Sequence, residues 1–163
     1  MDAKNQASAY DELVERNRGR LTAIARAYAP GDVDDLLQEI LLQLWRSLSS
    51  FKGEAGIDTW AYRVALNTAL GWRRSASTRR DRLPQSERCP QSISGGDDGQ
   101  DHVALLEKFI ATLSAPDRAL LLMILEDMPG KEMASVFGVR EGAVRVRVHR
   151  LKARLQQWAE QLP

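Results

Sequence analysis

Apolar residues recur along this chain with the three-to-four-residue period of helices. Tyr10, Leu13, Val14, Leu21, Ile24, Ala25 and Tyr28 form a first stripe, which stops at Pro30-Gly31. Val33, Leu36, Leu37, Ile40, Leu41, Leu44 and Leu48 form a second, opening behind an Asp32 cap. A break over 49–57 contains Gly53 and Gly56; Asp58 or Thr59 then caps a third helix whose inward stripe is Trp60, Ala61, Val64, Ala65, Thr68 and Trp72. Farther on, Val103, Leu106, Phe109, Ile110 and Leu113 mark a fourth helix. Ser114 caps a fifth over 118–125, with Pro116 suited to its first turn. It stops near Pro129-Gly130, and two more helices follow, over about 131–137 and 141–158. No segment alternates with period two between hairpin turns, so the fold class is all-α.

The periodicity lapses between Ser75 and Asp101. These 27 residues carry only Ala76, Leu83, Cys89 and Ile93 as apolar side chains. Such a stretch buries too little surface to offset its ordering entropy. It reads as a flexible linker joining two small helical domains, 1–74 and 102–163; the other reading is a surface loop within one domain.

Composition then removes whole classes. The 163 residues include one Cys, so an internal disulfide is excluded. Two His and one Cys cannot build a Cys/His zinc site, though carboxylates could still bind a metal, and no cofactor is expected. No apolar run approaches the ~20 residues that span a bilayer, and the first residues do not resemble a signal peptide. The expectation is a cytoplasmic protein without membrane insertion. Cys89, in the linker, reads as incidental.

The net charge of +1 hides strong local imbalance. Residues 140–154 hold six basic side chains and one acidic, and residues 73–82 hold five and one. Residues 32–39 hold Asp32, Asp34, Asp35 and Glu39 and no base. The stretch 81–101 has two bases and five acids.

The most basic window lies in a helix-turn-helix pattern. Ala134 is small where two helices would cross, Gly138 suits a left-handed turn four residues later, and Val144 anchors the second helix. Met133, Phe137 and Val139 are expected to fill the space between. In the second helix Val144, Val148, Leu151, Leu155 and Trp158 make the inward stripe. Arg145, Val146, His149, Arg150 and Ala153 occupy another face, with Arg147, Lys152 and Arg154 around it. An apolar side that holds the helix and long cations that reach bases and phosphates suit a recognition helix. A solvated basic face is the alternative.

Two features of the N-terminal half stay open on residues alone. Asp32, Asp34 and Asp35 favour a helix dipole, at up to ~1 kcal/mol each, but Gln38 and Glu39 extend the polar side beyond the first turn, as an acidic docking surface would. On the third helix Arg63, Asn67, Leu70 and Arg74 share a face, extended by Arg73, Arg79 and Arg80. Cations with an Asn suit a nucleic-acid backbone and a base edge, and equally an amphipathic helix with a basic end.

Three segments in order resemble the extracytoplasmic-function (group IV) sigma factors of bacterial RNA polymerase. DVDDLLQEILLQLWRSLSSFKG (32–53) is similar to the polymerase-binding segment, and TWAYRVALNTALGWRR (59–74) to the −10 segment. Residues 113–155 are similar to the −35-binding domain. The resemblance implies that Asp32, Asp34, Asp35, Gln38 and Glu39 dock on core RNA polymerase, through the clamp of its largest subunits, with a further contact on its flap. Phe51 and Lys52, in the loop after the second helix, would help cradle a flipped −10 base, with Arg63, Asn67, Arg73 and Arg74 along the opened strand. Arg145, Val146, His149 and Arg150 would face the −35 major groove of promoter DNA, with Arg140, Arg147 and Lys152 nearer phosphates. The acidic linker (Asp97, Asp98, Asp101) would run through polymerase channels. An anti-sigma factor or other negative regulator is implied as a further partner.

The sequence departs from the family at Gly142-Ala143-Val144, where Gly-Thr-Val is usual, and at Val146, commonly a polar position. Both bear on which −35 sequence is read. Pro129-Gly130 is also atypical before the helix pair. The implied function is a sigma initiation factor rather than an enzyme. A stand-alone helix-turn-helix regulator is the alternative, and a helical enzyme lacks any nucleophile–base set.

Overall fold

A computed structural model of the chain describes residues 3–80 and 98–161, with side chains over 5–75 and 104–161. Among the described residues there are seven helices and no strand. They are α1 (Ala3–Tyr28), α2 (Val33–Leu48), α3 (Ile57–Arg80), α4 (Asp98–Thr112), α5 (Ala115–Leu125), α6 (Gly130–Phe137) and α7 (Glu141–Glu160).

The N-terminal three helices pack against one another. In α2 the residues at four-residue spacing, Leu36, Ile40, Leu44 and Leu48, are all buried. Each contributes about 1.5–3 kcal/mol by leaving water. Asp32 stands at the N-cap position, but its side chain makes no capping hydrogen bond. Its backbone carbonyl instead accepts the first helical bond, from Leu36 N at 3.0 Å.

The third helix differs from expectation at both ends. It starts at Ile57, so neither Asp58 nor Thr59 caps it. Asp58 Oδ1 accepts from Arg16 Nε at 2.9 Å and from Asn17 Nδ2 at 2.7 Å, tying α3 to α1. Thr59 Oγ1 donates to Glu132 of α6 at 3.1 Å. The helix runs on to Arg80, past the expected boundary at 74, and α4 opens at Asp98 inside the expected linker. The rest of that linker, Cys89 included, lies outside the described residues.

More of α3 is buried than its single stripe implied. Trp60, Ala61 and Ala65 are buried, but so are Tyr62, Leu66 and Ala69. Helix α3 packs against α1 and α2 and also against α6, so a second face leaves solvent.

The C-terminal half follows its punctuation closely. Ser114 Oγ accepts from Asp117 N at 3.3 Å as the α5 cap, with a Pro in the first turn. Residues 118–123 are buried without a break. Gly138 has φ +65° and ψ +33°, the left-handed conformation that glycine adopts without steric cost. Ala134 and Val144 are buried where α6 and α7 meet. Val139 is not the filler expected: it is 37 % exposed, because the left-handed turn carries it to the outside.

Candidate nucleic-acid interface

Helix α7 is held from beneath by buried Val144 and Leu151, and by Trp158, whose ring lies 5.1 Å from that of Phe109 on α4. That anchoring fixes which side chains face outward. Arg145, Val146, His149, Arg150 and Lys152 are all exposed, as is Arg140 at the helix N-cap position. Val146 is 50 % exposed, an apolar side chain in the middle of a basic surface. Such a group suits contact with a thymine methyl more than with phosphate. Arg147 places its guanidinium 5.9 Å from the centre of the Phe137 ring, which steadies it beside the turn. Arg145 stands 3.6 Å from Glu141 one turn earlier, but its side chain is 80 % exposed, so the pair stabilises little. Arg154 is drawn away from this surface: it donates to Thr112 O at 3.3 Å and lies 3.6 Å from Asp117.

The second basic surface is on α3. Arg63, Asn67 and Arg74 are exposed at helical spacing, with Leu70 half-buried between them. Arg73 is exposed too, but on a different side: its charge reaches Tyr28 and Arg118, opposing the rise that burial gives the tyrosine and adding to the fall of the arginine. Phe51 is half-buried, its ring 5.3 Å from Trp60. The loop between α2 and α3 thus lies against the start of α3, and Gly53, at φ +74°, allows it to turn there. Lys52 is exposed beside it.

The acidic surface is on α2. Asp32, Asp34, Asp35 and Gln38 are exposed, and Glu39 is half-buried, accepting from Gln43 Nε2 at 2.7 Å. Glu39 and Gln43 also line one side of a groove of about 410 Å³ against Thr68, Gly71 and Trp72 of α3. Asp34, Gln38, Leu42 and Trp45 share a face by their four-and-three spacing. Leu42 is 40 % exposed and Trp45 38 %, so the acidic surface continues into an apolar one. Sequence reasoning counted neither as part of the site, because both lie outside the inward stripe of α2 and outside its cluster of polar residues. Trp45 is braced edge-on by Tyr10 at 5.2 Å, and Tyr10 donates to Leu41 O at 3.0 Å.

A fourth group of polar contacts joins the two halves, and little in the sequence pointed to it. Arg118 of α5 is 7 % exposed. It donates from Nη1 to Ala27 O at 2.9 Å and from Nη2 to Leu113 O at 3.4 Å, with its guanidinium 5.4 Å from the centre of the Tyr28 ring. Burial pushes its pKa down, and Arg73 adds to the shift. Tyr28 donates from its hydroxyl to Ala115 O at 2.6 Å. Burial holds its phenol up at about 12. Arg20 Nε lies 2.7 Å from Glu126 Oε2, an ion pair whose N–H is not aligned on that oxygen. Burial raises the Glu126 carboxyl above its usual range while Arg20 opposes the shift. Among the described residues no cluster of His, Cys, Asp and Glu could hold a metal, and no helix is long and apolar enough to cross a membrane.

Known proteins resemble the chain in sequence and in fold. Residues 13–79 match the sigma-70 region 2 family and residues 104–155 the sigma-70 region 4 family. The first covers α1, α2 and nearly all of α3, and the second α4 to most of α7. The chain is 28 % identical to the ECF RNA polymerase sigma-E factor of Escherichia coli, over 91 % of this chain and 85 % of that one. It is also 28 % identical to the ECF RNA polymerase sigma factor SigM of Mycobacterium tuberculosis, over 90 % of this chain and 75 % of that one. Its fold is that of the sigma factor RpoE of Bartonella quintana, solved with the anti-sigma factor NepR, at a TM-score of 0.73, 20 % identity and coverage of 95 % and 99 %. CnrH, solved with the cytosolic domain of CnrY, shares it at a TM-score of 0.68, 23 % identity and coverage of 94 % and 89 %. With both sigma-70 regions present in order, and the basic, acidic and helix-turn-helix surfaces lying within them, the chain belongs to the extracytoplasmic-function sigma factors, initiation factors of bacterial RNA polymerase.

Proposed function

We propose that the two halves divide the work of promoter recognition. Residues 1–74 bind core polymerase and the −10 element, 102–163 bind the −35 element, and 75–101 connect them. The observation that carries this division is the separation of charge: α7 turns its bases outward, and α2 its acids.

On α2, Asp32, Asp34, Asp35, Gln38 and Glu39 make the polar part of the polymerase contact, on the clamp, and Leu42 and Trp45 add apolar area beside them. On α3, Arg63, Asn67 and Arg74 lie along the opened −10 strand, with Arg73 at their edge and Phe51 and Lys52 at the flipped base. On α7, Arg145, Val146, His149 and Arg150 enter the −35 groove, while Arg140, Arg147 and Lys152 meet phosphates. The flap of polymerase receives the C-terminal half. The protein acts by binding alone, in the cytoplasm and on the nucleoid when it is with polymerase. A protein regulator of the anti-sigma kind is its further partner, as the anti-sigma factor NepR is for RpoE of Bartonella quintana.

Run-off transcription tests the reading. Purified chain plus core enzyme initiates on a promoter with both elements, whereas core alone does not. Asp34→Lys/Asp35→Lys abolishes co-purification with core and leaves the far-ultraviolet circular dichroism unchanged. Full core binding by that double variant would refute the assignment to α2. Operator binding with no effect on polymerase would favour a stand-alone regulator instead.

A further inference from the structure

Helix α7 carries one outward side chain that no charge explains. Val146 lies about 160° round the helix from Val144, a buried residue that anchors it, and so stands near the middle of the outward face. Among the described residues of α7 it is the one large apolar side chain left exposed. A single exposed valine is ordinary on a protein surface; its surroundings here are not. Gly142, one turn before it, and Ala153, two turns after it, share its line along the helix, and both are exposed. The two cations beside it in sequence lean away from that line. Arg145 stands 3.6 Å from Glu141, and Arg147 places its guanidinium 5.9 Å from the centre of the Phe137 ring. Small and apolar groups thus form the crest of the helix and cations its flanks, with His149 and Arg150 exposed on the next turn.

A crest of this kind approaches base edges closely while the flanking cations meet phosphates. Valine brings neither a donor nor an acceptor to the major groove. Laid over guanine, adenine or cytosine, it would cover O6, N7 or N4 groups and leave them without a hydrogen-bond partner. Thymine alone presents a methyl group there. Valine is also stiff. In a helix its χ1 is held in one rotamer, so its methyl groups are in place before DNA arrives and little entropy is lost on contact. We propose that Val146 determines specificity in the −35 element by packing on the 5-methyl group of a thymine, and thereby selects T·A at one position. This rests on the assignment of α7 to the −35 groove.

The test starts from a pool of duplexes with a randomised window, enriched by binding to the full chain and, separately, to Val146→Ala. The consensus for the unaltered chain contains a T·A pair that becomes degenerate in the consensus for the variant. In the enriched duplex each thymine is then replaced singly by deoxyuridine, which removes the 5-methyl group and keeps the pairing. Anisotropy shows one position where uracil weakens binding about fourfold, the worth of one buried methyl group. At that position uracil costs Val146→Ala nothing further, so the two changes are not additive. Val146 is exposed and alanine favours a helix, so the circular dichroism of the variant is unchanged. An equal loss on uracil in both proteins, or no thymine that responds to uracil, overturns the reading of the methyl group. Failure of the unaltered chain to enrich any sequence would instead overturn the assignment of α7 to DNA.

Discussion

One chemical change, Gly→Ala, should have opposite effects at two positions. At Gly138 the backbone is left-handed, at φ +65°, and an added Cβ would meet no atom within 4 Å. The whole penalty is therefore local strain, about 1–2 kcal/mol for an L-residue in this conformation. The unfolded chain loses freedom at the same time, which returns about 0.4–1 kcal/mol. A net loss of about 1 kcal/mol remains, or about 2–4 °C in the midpoint of thermal unfolding for a protein of this size. At Gly19, within α1, a Cβ again meets nothing within 4 Å, but the backbone is helical. There Ala stabilises by about 0.5–1 kcal/mol. Urea unfolding of the two variants, followed by circular dichroism, measures both signs. Asn at 138, which tolerates the left-handed region better, should fall between Gly and Ala. Gly138→Ala strains the turn that joins α6 to α7, so it should weaken −35 DNA binding, and Gly19→Ala should leave that binding unchanged. Equal effects of Ala at 138 and 19 would refute the turn geometry on which the helix-turn-helix assignment depends.

Two further outcomes can be checked directly. Replacing Arg140 or Lys152 by Ala should reduce the slope of log affinity against log salt by about 0.9 for each phosphate no longer neutralised, measured by anisotropy on a −35 duplex, and an unchanged slope removes that residue from the phosphate contacts. Tyr28, raised from 10.0 to about 12, stays protonated in the folded chain while an unfolded tyrosine ionises, so its contribution is complete below pH 10 and is lost as pH rises toward 12. At about 1.4 kcal/mol per unit this amounts to about 3 kcal/mol, seen as a late tyrosinate absorbance step that Tyr28→Phe removes; an ordinary titration of Tyr28 would contradict its burial.

The elements legible in the sequence are those whose signals are local. Leu36, Ile40 and Leu44 announce a face by spacing alone, Gly138 marks a turn, and Ser114 with Pro116 marks a helix start. The outward basic face of α7 was legible for the same reason, since a helix anchored at Val144 and Leu151 leaves its other side chains no choice of direction. What stayed hidden depends on partners distant in sequence. Tyr28 and Ala115 are 87 residues apart, and Arg118 and Ala27 are 91 apart. Tyr28 read as one more core aromatic, and Thr59 as a cap. Tyr62 and Leu66 fell outside the inward stripe of α3 because that stripe assumed one packed face, and the C-terminal half supplies a second. One signal was present: Arg118 sits directly before the apolar run ALLLMIL, where a cation needs a partner to be buried.

The placement of charge separates the polar contacts between the halves from the exposed charged surfaces. Those contacts use a backbone carbonyl of each half, one ion pair and one hydroxyl–carboxylate bond, beside a shared apolar core. None of the polar contacts draws on the outward bases of α7 or the outward acids of α2, which stay exposed with the halves together. If α7 reads the −35 element as proposed, a short duplex carrying only that element should bind the chain as it stands, and charge reversal at Asp34 and Asp35 should leave that binding unchanged. A loss of duplex binding on that reversal would refute the independence of the two surfaces. The near-neutral total charge follows from the same separation: surfaces of opposite sign occupy different helices, and their charges cancel only in the sum.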